Sequence, residues 1–342
     1  MSTNLTPFEQ RRLLRIALGS CIGFSLCKIM NWPYGIFFAV FPMLLLGMVP
    51  MFNRMVAIQF IVGGLLNIIE IWVLKVLLDP YPTLMIAAVF FVYGYHFRFM
   101  AGTPYFLLWA SGLVTISTVL HFSSYADTSM NDMLVSTMLA TAISVFGAVV
   151  LYWLIPEHET PPPPPKLQLT PSQLNHRTLL GATLATLSYI IFQIFDLRDS
   201  LSAQVATMLI LFPMTYQGSI VSAINRAKGV AYGCALAITM QLLMNDLIQH
   251  FALVVIAMFM TVLIAAKLHL LERSGSAVGF GALTTIGILF GQYLSPTDDI
   301  LYSAAYRFTS VVVAVTLVLI AAWILDHFLN RFDITQCLRC FS

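Results

Sequence analysis

The sequence predicts an all-α integral membrane protein of about 12 transmembrane helices, built as two parallel six-helix repeats. Three observations predict it. Only 9% of the 342 residues are charged while 59% are hydrophobic; a soluble domain carries roughly 25% charge, so this chain has too few charges to cover a water-facing surface. The apolar residues fall into stretches near the ~20 residues that a helix needs to cross a bilayer. Five consecutive prolines, Pro161 to Pro165, interrupt those stretches near the midpoint.

In chain order, the apolar stretches are 13–31, 33–50, 55–77, 82–99, 104–122 and 132–155, then 178–196, 200–216, 219–243, 247–267, 276–294 and 300–329. The connections are short, and none is long enough for a soluble domain. The first stretch follows an arginine-bearing start without a small-residue cleavage site, so it reads as a retained helix. Proline lacks an N–H and fixes φ, so a run of five cannot lie inside a helix or sheet. It forms an extended spacer. The chain therefore divides into a first repeat (1–155), a proline-rich linker (156–177), a second repeat (178–330) and a tail (331–342).

Orientation follows from the positive-inside rule. With the N-terminus in the cytoplasm, Arg11, Arg12, Arg15, Arg54, Arg98, Lys166, Arg177, Arg226, Lys228, Lys267, Arg273, Arg331 and Arg339 fall on the cytoplasmic side. Lys28, Lys75 and Arg198 lie toward the other side, together with Asp79, Asp127, Asp132, Asp196, Asp199, Asp246, Asp298 and Asp299. The alternation places the linker and both termini in the cytoplasm.

The halves resemble one another. FPMLLLG at 41–47 and FPMTYQG at 212–218 align Pro42 with Pro213 and Gly47 with Gly218, 171 residues apart. Gly63 matches Gly233 and Trp153 matches Trp323, each at an offset of 170. A six-helix repeat returns the chain to its starting side, so the repeats are parallel, about an axis along the membrane normal.

The second half carries Pro213-x4-Gly218, then Arg226-x2-Gly229-x3-Gly233. Pro213 and Gly218 turn the chain. Arg226 and Lys228 stand near the start of the ninth helix, and Gly229 and Gly233 form a small face that admits a close neighbour. This pattern, between the second and third helices of a six-helix unit, resembles the fusaric acid resistance protein-like superfamily. That group includes the aromatic acid exporters, and plant aluminium-activated malate channels are similar in their membrane unit. Arg307 resembles an arginine carried early in the last helix of those families. The first half departs from the pattern: Pro42, Gly47, Arg54 and Gly63 give a degenerate version, with Gln59 at the place of Gly229 and Thr137 at that of Arg307. Lacking soluble domains after each unit, the chain resembles the short two-repeat branch. The resemblance implies a bacterial inner-membrane protein partnered by a periplasmic adaptor of the membrane-fusion type.

Glu70 is the one acid well inside a stretch, and Asn67 lies one turn earlier on the same face. A charge there costs about 2.5–3.5 kcal/mol on insertion scales, which turns it toward the bundle interior. It reads either as a proton-coupling or gating carboxylate or as a structural hydrogen-bonding group. Gln241 is its near-equivalent in the second repeat, at an offset of 171. Arg226 and Lys228 read as a cytoplasmic mouth for a carboxylate or as ordinary positive-inside anchors. Arg307 reads as an anion ligand, as a partner of Glu70, or as a snorkelling side chain. His96, His250 and His269 read as interfacial belt residues. Cys337 and Cys340 supply two thiolates where zinc takes four ligands, and read as a reduced tail.

The function expected is efflux of small amphipathic compounds, aromatic or carboxylated, driven by the proton gradient, since no nucleotide-binding G-x-x-x-x-G-K-[ST] motif occurs. Passive anion conduction and a non-transporting scaffold of a secretion complex are the alternatives. No enzyme, metal or cofactor is expected. The partners expected are the lipid bilayer, a small organic substrate, the adaptor and a second copy of the chain; a net charge of +2 implies no nucleic acid.

Overall fold

A computed structural model of the chain describes residues 5–125, 128–157, 169–195, 197, 200–244, 250–272, 278–293 and 300–337. The proline run, Lys166, Arg198, Arg273, Arg339, Cys340 and the acids Asp127, Asp196, Asp199, Asp246, Asp298 and Asp299 lie outside them. The described residues form twelve α-helices and no strand: α1 (Pro7–Ile29), α2 (Gly35–Met48), α3 (Arg54–Leu78), α4 (Pro82–Gly102), α5 (Phe106–Phe122), α6 (Met130–Leu154), α7 (Pro171–Ile194), α8 (Leu201–Leu211), α9 (Tyr216–Met244), α10 (Phe251–Glu272), α11 (Val278–Tyr293) and α12 (Ile300–Leu329). The protein is an all-α, multi-pass membrane protein that contacts the lipid bilayer.

The helices that open the two halves start alike. Thr6 and Thr170 each accept a hydrogen bond from the backbone N–H three residues on, where Glu9 and Gln173 reach back to the cap. Pro7 and Pro171 follow the caps directly. A reciprocal cap with proline at the first helical position satisfies the orphan donors at the helix start.

Helix length sorts the remainder. Helices α3, α4, α6, α7, α9, α10 and α12 are long and apolar enough to cross a membrane. Helices α2, α5, α8 and α11 are apolar but shorter. The 14 residues of α2 span about 21 Å, below the ~30 Å of a bilayer core. Every residue of α8, and of α2 from Phe37 to Gly47, is buried. Protein, not lipid, surrounds these short helices, which is why α8 can bury Ser202, Gln204 and Thr207 among its apolar residues. The long helices instead leave large apolar side chains exposed, among them Ile69 and Trp72 on α3, Phe146 and Trp153 on α6, and Val313 and Trp323 on α12.

The chain packs as two compact units. One comprises Met1–Ile61, Asn131–Pro162 and Asn225–Thr309; the other comprises Val62–Met130, Pro163–Ile224 and Ser310–Ser342. In the first, α1 packs on α2 and α10, and α11 packs on α2 and α10. In the second, α7 packs on α8 and α4, and α5 packs on α8 and α4. The plan is the same: the first two helices of one sequence repeat join the fourth and fifth of the other. Repeats in sequence and units in packing are therefore different divisions of the chain.

Candidate functional site

In each unit, residues singled out by the sequence gather in a buried polar cluster. In the second unit, α3 runs close against α5, because Gly63 offers no side chain where Leu108 and Ser111 approach. That places Asn67 and Glu70 beside the paired helices α4 and α5. Glu70 Oε2 is 3.0 Å from His96 Nε2, and the Tyr95 hydroxyl donates to Glu70 Oε1. His96 Nδ1 lies 3.0 Å from the Trp109 carbonyl on α5. The ring is sealed from solvent and fits only because residue 112 is glycine: a Cβ there would lie 2.2 Å from His96 Cε1 and 2.7 Å from Asn67 Oδ1. Asn67 is buried, and its Oδ1 has no hydrogen-bond partner among the described residues. The interfacial reading of His96 is thus overturned, since its partners lie inside the helix cluster. The signal was present in the chain, as an acid in α3 and a histidine in α4, but their juxtaposition is tertiary.

The first unit holds the opposite charge. Helix α9 lies tight against α11: a Cβ at Gly229 would sit 2.5 Å from the Val278 carbonyl and 2.8 Å from Gly281 Cα, and one at Gly233 would sit 2.7 Å from Thr285. The small face is an internal packing surface with α11. It brings Arg226, three turns into α9 and 4% exposed, against Thr284, whose hydroxyl oxygen accepts from Arg226 Nη1 at 2.6 Å. Arg226 Nε and Nη2 have no hydrogen-bond partner among the described residues. Arg307 of α12 is 2% exposed, which excludes the snorkelling reading, and its positive charge acts on Arg226. Glu70 and Arg307 belong to different units, and Glu70 takes its partners from α4.

The other expected residues fall as follows. Lys228 is exposed, in keeping with an anchor, and Gln241 is half-buried near the end of α9. Pro42 lies inside α2; Pro213 follows α8 in a turn where Met214 takes a φ of 53°. A Cβ at Gly218 would meet the Pro213 ring at 2.5 Å, so the two residues form one tight corner. The Gly47 carbonyl, near the end of α2, accepts from Arg12 and, at 2.9 Å, from His269 Nε2. His269 is likewise buried rather than interfacial. Arg15 Nη2 pairs with Glu157 at 3.0 Å and its guanidinium stacks 3.9 Å over Tyr152. His176 pairs with Asp326 at 3.0 Å and bonds the Thr335 carbonyl, so the tail docks on α7. Cys337, expected to be reduced, is disulfide-bonded. Among the described residues no group of three His, Cys, Asp or Glu side chains has the geometry of a metal site.

Comparison with known families follows the halves of the chain. Residues 187–321, which contain Pro213, Gly218, Arg226, Gly229, Gly233 and Arg307, match the family described as fusaric acid resistance protein-like. Residues 12–151, which contain Asn67, Glu70, His96 and Gly112, match a different family, described as "Protein of unknown function (DUF2955)". Arg226 and Arg307 thus lie in the stretch similar to the fusaric acid resistance protein-like family, and Glu70 and His96 in the stretch similar to the other. No curated protein and no solved structure matches the chain.

Proposed function

We propose that the protein is an efflux-type membrane transporter that exports small amphipathic organic anions, aromatic or carboxylated, with the proton gradient as drive. The observation that carries this reading is Arg226. A guanidinium 4% exposed, with Nε and Nη2 unpartnered among the described residues and a second arginine acting on it, is a positive site inside a bundle that is only partly satisfied. Leaving a buried charge unpaired is strongly unfavourable. An anionic ligand removes that penalty, and a carboxylate fits the guanidinium fork with two parallel hydrogen bonds. Aromatic and aliphatic neighbours of such a site would accept the rest of an amphipathic acid. The family match supports a transport role over catalysis. Glu70, embedded beside a histidine, supports proton coupling, because ionisable groups inside membrane helices mark relays and pathways.

On this reading the chain sits in a bacterial inner membrane with both termini in the cytoplasm, and works with a periplasmic adaptor. The alternation of basic residues supports the orientation. The disulfide at Cys337 pulls against it, since cytosolic thiols are kept reduced. Labelling of Cys337 by an impermeant thiol reagent after reduction, in intact cells against inside-out vesicles, decides the side of the tail.

The test is flux of a panel of aromatic acids in vesicles with an imposed pH gradient, comparing the parent chain with Arg226→Ala and Arg307→Ala at matched expression. Gradient-dependent flux of acids, lost in Arg226→Ala, supports the reading. Flux that follows only the anion's own electrochemical gradient would replace it with a passive channel. Transport of neutral analogues alone, untouched by either arginine variant, would overturn the anion assignment.

A further inference from the structure

We infer that Glu70 and His96 together form a site that holds one exchangeable proton, with His96 as the proton-carrying partner of the carboxylate. The inference rests on the proton-driven reading above and deepens it by naming the residues that hold the coupling proton.

The argument is one of donors and acceptors. His96 Nδ1 stands 3.0 Å from the Trp109 carbonyl. A carbonyl only accepts, so Nδ1 carries a hydrogen in every protonation state compatible with this geometry. His96 Nε2 therefore has a hydrogen only if the ring is imidazolium. Glu70 Oε2 stands 3.0 Å from that nitrogen. A hydrogen bond at that distance requires one proton between the two atoms. Either the acid is neutral and its O–H donates to Nε2, or the ring is charged and N–H donates to the carboxylate. The two forms interconvert by breaking O–H and forming N–H along one contact, and both hold the same single proton.

Remove that proton and the contact becomes an oxygen lone pair facing a nitrogen lone pair. It then repels, and the pair must part or draw in water. The observed closed pair is thus the loaded form. The Tyr95 hydroxyl donates to the other oxygen, Oε1, and so orients the carboxylate without competing for the shared proton.

The surroundings isolate this proton. From α4 the titratable groups facing Glu70 are Tyr95 and His96. From α5 the ring meets the Trp109 carbonyl and the backbone at Gly112, and from α3 it lies beside Asn67. From α7, Gly181 and Ala182 lie against this stretch of α4 and bring no charge. Further along α3, Lys75 is paired with Asp79. Access is one-sided: the Glu70 side chain is 11% exposed and that of His96 is sealed. Glu70 is the gate at which a proton enters or leaves, and His96 is the inner holder. Gly112 is the positioning residue, since any side chain there would occupy the space of the imidazole.

The experiment is infrared difference spectroscopy of the full chain in nanodiscs, recorded at stepped pH. It is read beside gradient-driven flux and substrate counterflow in vesicles. The expected result is a carboxyl and an imidazole signal that change together, both lost in Glu70→Gln. In His96→Gln the carboxyl signal moves, gradient-driven flux is lost, and counterflow remains. Tyr95→Phe, which keeps the ring and its packing, shifts the carboxyl signal and guards against misfolding of the histidine variant. A carboxyl signal indifferent to His96→Gln, or undiminished gradient-driven flux in that variant, would overturn the inference while leaving the transport reading standing. Coupled signals in a chain that moves no tested acid would support the one-proton site and remove the transport reading instead.

Discussion

The two compact units are assembled to one plan and carry opposite chemistry. In each, the fourth helix of a repeat presents a buried histidine close to a glycine of the next helix: His96 with Gly112 on α5, His269 with Gly279 on α11. In each, the third helix of that repeat passes against the short fifth helix through glycine. There the likeness ends. His96 has a carboxylate, Glu70, at 3.0 Å. His269 has only the Gly47 carbonyl for Nε2, with Nδ1 unpartnered among the described residues. Where α3 contributes an acid, α9 contributes Arg226. A histidine facing a carbonyl is held in one tautomer and has nothing to exchange a proton with; a histidine facing a carboxylate shares one. The two scaffolds are alike, and their buried side chains differ: a carboxylate beside a histidine in one, a guanidinium beside a threonine in the other.

That difference can be broken or sharpened by substitution. The largest effect is expected from Glu70→Gln, which should abolish gradient-driven flux while substrate counterflow persists, because Arg226 and its surroundings in the other unit are unchanged. Loss of both activities together would deny a division of labour between the units. Arg226→Ala should weaken binding of an aromatic acid about 10- to 100-fold, the equivalent of roughly 1.5–3 kcal/mol for charged hydrogen bonds. Calorimetry in nanodiscs would measure it, with the Glu70 infrared signal unmoved. Gly112→Ala and Gly229→Ala should each destabilise their own unit by about 1–3 kcal/mol through overpacking. Their Cβ atoms would meet His96 and Val278 at 2.2 and 2.5 Å respectively. Thermal unfolding gives the size; flux should show loss of drive in the first and loss of affinity in the second. The smallest effect belongs to Lys228→Gln. An exposed side chain without packing should change stability by less than about 0.5 kcal/mol, and acid affinity should stay at the parent value if Lys228 is an anchor and not a ligand.

Much of the fold was legible in the chain because helix formation is local. Apolar runs located all twelve helices, and Thr6-Pro7 and Thr170-Pro171 mark equivalent starts that strengthen the internal repeat. Hydropathy could not tell a lipid-facing helix from one enclosed by protein, since both are apolar. Length separates them, and α2 and α8 fall on the short side. The sites were half legible. Glu70, Asn67, Arg226 and Arg307 stand out as polar residues in apolar surroundings, and the structure buries Asn67 and both arginines and leaves the Glu70 side chain 11% exposed. His96 did not stand out, because its place near the end of an apolar stretch looks the same whether the ring faces headgroups or a carboxylate 26 positions away.

By itself, then, the sequence determined the class of the protein, its helices and the sign of its buried charges, because each rests on composition or on spacing within one helix. Tertiary structure alone decided which helices share a core. The first two of each repeat join the fourth and fifth of the other, so that α1 meets α10 and α4 meets α7. Partner choice among apolar helices depends on small-residue faces and side-chain fit between segments far apart in the chain. The same pairing decided that Glu70 would meet a histidine and that Arg226 would meet a threonine.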